Sequence, residues 1–159
     1  MIKNYLLAAV AAVITVPALA ADTVNISVSG TLTRPPCTVT SGTNLTVSFS
    51  SVRTDQISSA PTVSVPVKMT CPSGSSLNMS FASTNGTISD TVAKTSITNL
   101  GVSLLYVSDS SAANLAGVKK AFTGLSGSVD LSLNAKLVST GTVAVGSYSS
   151  ALVLTIEYL

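Results

Sequence analysis

Side chains able to carry chemistry are few in this 159-residue chain. There is no histidine, so neither an imidazole base nor a Ser-His-Asp triad is available. The six carboxylates are Asp22, Asp55, Asp90, Asp109, Asp130 and Glu157, and no two of them share a short motif. A fold can bring distant carboxylates together, but their spacing points to no acid–base pair. No Ser-x-x-Lys nucleophile and no glycine-rich phosphate loop occur. The inventory points away from an enzyme and calls for no cofactor.

The two cysteines, Cys37 and Cys71, are too few for a zinc site in a chain without histidine. The leader gives them a context. Lys3 supplies a positive start, Leu6 to Val16 an apolar run, and Ala18-Leu19-Ala20 a small-residue cleavage pattern. Residues 1–20 read as a secretory signal peptide, because Thr15 and Pro17 break a run already too short to span a bilayer stably. Exported cysteines of this number read as one structural disulfide, Cys37 to Cys71.

Composition narrows the class further. Ser and Thr make up about 30% of the residues, and only 9% are charged. Without Lys3 the remainder carries seven basic and six acidic side chains. That balance gives no electrostatic footprint for nucleic acid, and the adjacent Lys119-Lys120 reads as a solvated loop. Four Asn-x-Ser/Thr triplets, at Asn25, Asn44, Asn78 and Asn85, are expected by chance in such a composition.

The elements that must position these residues are strands. Period-2 alternation runs through Leu45, Val47 and Phe49; through Val63, Val65, Val67, Met69 and Cys71; and through Leu77, Met79 and Phe81. Asn85-Gly86 follows as a hairpin-turn signal. Further sets are Val102, Leu104 and Tyr106; then Val129, Leu131, Leu133, Ala135 and Leu137; and finally Leu152, Leu154, Ile156 and Tyr158. Pro66 marks an edge or a bulge. Residues 108–127 are the least regular stretch and read equally as a long loop or as holding a helical turn at 112–116. The expectation is one all-β, antiparallel sandwich of about seven strands.

Two terminal segments stand apart. Val24, Ile26, Val28 and Leu32 alternate with polar residues, with Gly30 where another apolar side chain belongs. This strand reaches Pro35-Pro36 without a hairpin turn to supply a partner. Gly30 marks either a weak point in an ordinary strand or a position where no side chain fits. At the other end, GSYSSALVLTIEYL is an apolar strand running to Leu159. By spacing alone it is the last strand of an ordinary sandwich, and Ala151 and Val153 leave open which face points inward.

Together these ends resemble the subunits of chaperone–usher fimbriae, the pilins of type 1 and P pili. The shared features are the penultimate Tyr158, Gly146 fourteen residues from the end, Leu152, Leu154 and Ile156 between them, and the aromatic Tyr148. The Gly-bearing VNISVSG segment, Pro36-Cys37-Thr38-Val39 and the second cysteine at the end of a long strand occur in the same order. The Pro-Pro-Cys-Thr context resembles a minor subunit, at the tip or as an adaptor, more than a rod subunit.

The resemblance implies an incomplete immunoglobulin-like β-sandwich lacking its last strand. Residues 21–34 would be a donor-strand extension and residues 35–159 the pilin domain. The groove left open would lie against the C-terminal strand, with Gly146, Tyr148, Leu152, Leu154, Ile156 and Tyr158 as its markers. A periplasmic fimbrial chaperone would fill it first. At an outer-membrane usher, residues Val24, Ile26, Val28, Gly30 and Leu32 of the next subunit would then take the chaperone's place, on the way to the cell surface. The rival function is a carbohydrate-binding adhesin domain, for which a chain without Trp and with only 4% aromatic residues is poorly furnished.

Overall fold

The computed structural model describes residues 25–32 and 36–159. The expected signal peptide, Val24 and Pro35 lie outside the described residues. Residues 25–32 belong to a unit separate from the domain that follows and form no strand. Their apolar side chains are bare, with Ile26 83%, Val28 90% and Leu32 101% exposed.

The regular structure of the domain from residue 36 onward consists almost wholly of antiparallel strands. In chain order they are β1 (Thr38–Val39), β2 (Val63–Val65), β3 (Lys68–Ser83), β4 (Thr87–Ser89), β5 (Val92–Lys94), β6 (Leu100–Tyr106), β7 (Lys120–Asp130), β8 (Leu133–Ser139) and β9 (Leu152–Tyr158). A 3-10 turn at Thr54–Ser59 buries Ile57. One sheet has β3 at its centre, with β7 along one side and both β1 and β9 along the other. The second sheet runs β2-β8-β6-β5-β4.

The core lies between the sheets. Met69, Leu77, Met79 and Phe81 of β3 face Val102, Leu104 and Tyr106 of β6 and Leu133, Ala135 and Leu137 of β8 within one buried cluster. The period-2 spacing in each strand puts these side chains on one face. Gly101 lies on the opposite face of β6, where an added Cβ would sit 2.8 Å from the Ala93 carbonyl oxygen. Glycine is needed there for the close approach of β5.

Two expected strands each prove to be two. Val65 pairs with Leu133 in one sheet and Lys68 with Asp130 in the other, a step of three residues on both strands. A single antiparallel ribbon therefore keeps its register while it crosses from sheet to sheet. Pro66, which cannot donate to a ladder, sits in the crossing, directly after the edge strand β2. Ser132 holds the bend: its hydroxyl accepts the Val67 N–H at 3.1 Å, and the Leu131 N–H donates to the Val67 carbonyl at 2.8 Å.

Other expectations also change. Leu45, Val47 and Phe49 alternate, but residues 44–50 pair with no described strand. Asn85-Gly86 does form a turn, with Gly86 at φ +77°, yet β4 beyond it pairs with β5 instead of returning along β3. The irregular stretch ends at Lys119, because β7 already begins at Lys120. Gly124 and Gly127, both with positive φ, disturb the alternation that would have announced that strand.

An open apolar groove along the last strand

β9 pairs with β3 through an unbroken register from Leu152↔Ser83 to Tyr158↔Leu77. It pairs with no other described strand. Alternate N–H and C=O groups along its far side therefore point away from the sheet. Leu152, Leu154 and Ile156 turn inward and are half-buried against the core, whereas Val153 is 57% exposed. The even-numbered set is thus the inner face.

Opposite β9 runs the unpaired segment 44–50, with Val47 and Phe49 half-buried and its other residues, Leu45 included, exposed. The two walls enclose an open cavity of about 790 Å³. Its floor is the edge of the buried sandwich core, contributed by Phe81, Val102, Leu104, Leu133 and Ala135. No charged side chain lines it. The cavity is lined mainly by apolar side chains, with Ser41, Thr43, Asn44, Ser149 and Ser150 among them, and one wall is a free strand edge. Chemically it can hold an extended, uncharged chain whose alternate side chains are apolar.

The sequence markers divide around it. Tyr148, Leu152, Leu154 and Ile156 line the groove. Tyr148 lies outside any strand and is half-buried, and this burial raises its phenol pKa. Tyr158 ends β9, with 39% exposure, and does not line the groove. Gly146 is not on β9 either. It borders a neighbouring cavity of about 380 Å³ under Ile57, Ile97 and Val143, which Tyr148 also lines. At φ +151° its backbone favours glycine, while an added Cβ would meet only Ile97 Cδ1 at 3.7 Å. Residues 44–50 and the floor were not singled out from sequence. The alternation of Leu45, Val47 and Phe49 was the available signal.

Cys37 and Cys71 form a disulfide. The bridge sits where the chain enters β1, on the same side of β3 as β9, and the Leu159 N–H donates to the Ser76 carbonyl just short of it. β9 and β1 therefore follow one another along a single edge, and the groove wall continues from β1. On the outer face, Lys119 Nζ pairs with Glu157 Oε2 at 2.6 Å and holds that carboxyl below its ordinary pKa, with Asn78 assisting.

The aromatic side chains face inward. Phe81, Tyr106 and Phe122 form a chain of ring contacts at 6.5 and 6.0 Å, capped by Lys120 Nζ 3.7 Å from the Tyr106 centroid. Among the described residues only Tyr158 is an exposed aromatic, too little for a sugar-stacking platform. No cluster of three metal-ligating side chains occurs among them, and no helix there is long and apolar enough to cross a membrane.

Fold and groove define a class: an antiparallel β-sandwich whose core is left open along its last strand. A family described as "Fimbrial protein" matches residues 26–158, and the chain belongs to that family. Among solved structures it is similar to the P pilus rod subunit PapA, with a TM-score of 0.66 at 13% identity, covering 79% of this chain and all of that one. It is likewise similar to a subunit in a chaperone–usher pilus structure that concerns rod uncoiling, with a TM-score of 0.65 at 11% identity, covering 91% of this chain and all of that one. No curated protein sequence matches it.

Proposed function

We propose that this protein is a non-catalytic structural subunit of an adhesive surface fibre, and that its groove accepts an extended strand from another chain. The observation that carries this reading is the open apolar groove beside the free edge of β9. The donor in the fibre is the alternating segment of a neighbouring subunit, here represented by Val24, Ile26, Val28, Gly30 and Leu32. The segment from Val24 to Leu32 carries no charge, which matches the uncharged groove. Strand addition of this kind supplies main-chain hydrogen bonds on one edge and pockets for alternate side chains.

The energetics support a partner. Burying four such side chains is worth on the order of 6–12 kcal/mol gross, an upper bound because an unfolded chain already hides some area. Whole domains have only about 5–15 kcal/mol of net stability, so an unfilled groove leaves the lone subunit marginal and its edge open to aggregation. A periplasmic chaperone covering the groove before delivery to an outer-membrane usher meets that need. The Pro35-Pro36-Cys37-Thr38 stretch favours a minor position, at the tip or as an adaptor.

The reading is tested by titrating the mature chain with a peptide of residues 23–33. Saturable binding and a higher unfolding temperature are expected. A stable monomer that ignores the peptide overturns it.

A further inference from the structure

A sandwich has more than one free strand edge, and strand addition must choose among them. Resting on the groove reading above, we propose that this domain directs an incoming strand to β9 by closing its other edges, and that Gly124 and Gly127 close β7.

The second sheet ends in β2 and β4, of three residues each. β2 runs into Pro66, and the β4 pairing slips between Thr87 and Ser89. Neither offers a ladder worth joining. β7 is different. It spans 11 residues against the 7 of β9, and among the described strands it pairs with β3 alone. By length it is the better template.

Its geometry removes that advantage. From Phe122↔Leu77 to Leu125↔Ser75, β7 advances three residues while β3 advances two, so β7 carries one extra residue. Gly124 lies in this bulge at φ +68°, and Gly127 follows at φ +65°. Left-handed residues turn their N–H and C=O groups out of the strand line, and bulges break an edge in this way. A Cβ added at either glycine would meet nothing within 4 Å. Backbone conformation, not space, is therefore what requires glycine at both positions. β9 contains no glycine and no register break. Of the long edges, β9 alone is regular enough to accept a strand.

The test uses the full mature chain saturated with the 23–33 peptide, so that the groove is filled. Deleting Gly124 together with Gly127→Val removes both the extra residue and the second left-handed position, so that β7 can run as an extended edge. Wild type should sediment as a monomer, and the deletion variant should shift to dimers and larger species over the same concentrations. A folded, peptide-bound variant that stays monomeric overturns the inference. A second measurement needs no variant: the same peptide carrying a photo-crosslinker is mapped on wild type. Labels confined to β9 and residues 44–50 support the inference. Labels on residues 120–130 as well as β9 overturn it alone, whereas absence of binding overturns the groove reading and this inference with it.

Discussion

Phe81 of β3 and Leu154 of β9 are register partners on the inner face of one sheet, yet Phe81 is 4% exposed and Leu154 is only half-buried. The same holds one row along, where Met79 is fully buried and its partner Ile156 is not. The second sheet covers β3 and stops short of β9. The core is thus finished on one strand and unfinished on the next, which is the physical content of the groove.

Leu154 should therefore matter more to binding than to folding. Fully burying a leucine side chain is worth about 1.5–3 kcal/mol, or roughly 10- to 150-fold in affinity. Leu154→Ser is expected to weaken binding of the 23–33 peptide by that order, measured by titration calorimetry. The unfolding temperature of the peptide-free chain should fall by only a few degrees.

Much of this was legible in the residues. The inward faces of β3, β6 and β8 follow from alternation, and the alternation of β9 could be read to its last pair, although Ala151 and Val153 left its inward face open. What failed was the assignment of strands to sheets. Val63–Cys71 and Val129–Leu137 keep their alternation while passing from one sheet to the other, so the pattern carries no trace of the crossing at Pro66 and Ser132. β7 was hidden because Gly124 and Gly127 shift its phase. The groove was inferred from its marker residues, but its second wall was not. Leu45, Val47 and Phe49 look like a strand, and only the fold shows that this stretch has no strand beside it.

The Cys37–Cys71 bridge closes a loop with a sequence separation of 34. A loop of that length stabilises the fold by about 3–4 kcal/mol in the chain-entropy model. The double variant Cys37→Ser, Cys71→Ser should lose about that much, read as a lower urea midpoint, with a somewhat steeper slope because the unfolded chain without its cross-link exposes more surface. Because the groove wall continues from β1, its peptide affinity should fall as well.

Asp109 governs an acid-sensitive contact. Hydrogen bonds from the Ser111 hydroxyl and N–H, with Lys120 adding to them, lower its pKa to about 2. The folded value lies below the unfolded one, so the stabilisation is complete above about pH 4 and is lost as pH falls through about 2. Asp109→Asn should be less stable than wild type at neutral pH and converge on it near pH 2. Thermal unfolding of both proteins across this range measures the difference. Lys120 also caps the Tyr106 ring, so the variant should perturb the near-ultraviolet dichroism of that tyrosine.

Gly30 separates the needs of the free chain from those of the fibre. An added Cβ there meets no atom within 4 Å, so a larger side chain does not strain the subunit itself. On the proposed reading the alternating positions each face a pocket in a filled groove, and the glycine among Val24, Ile26, Val28 and Leu32 marks the shallow one. Gly30→Leu should leave the unfolding temperature and the bound chaperone unchanged while blocking polymerisation, scored by electron microscopy of surface fibres. Gly30→Ala, with one carbon added, should assemble slowly. Normal fibres from Gly30→Leu would mean that the groove is open at that position and that the glycine serves only to loosen the strand.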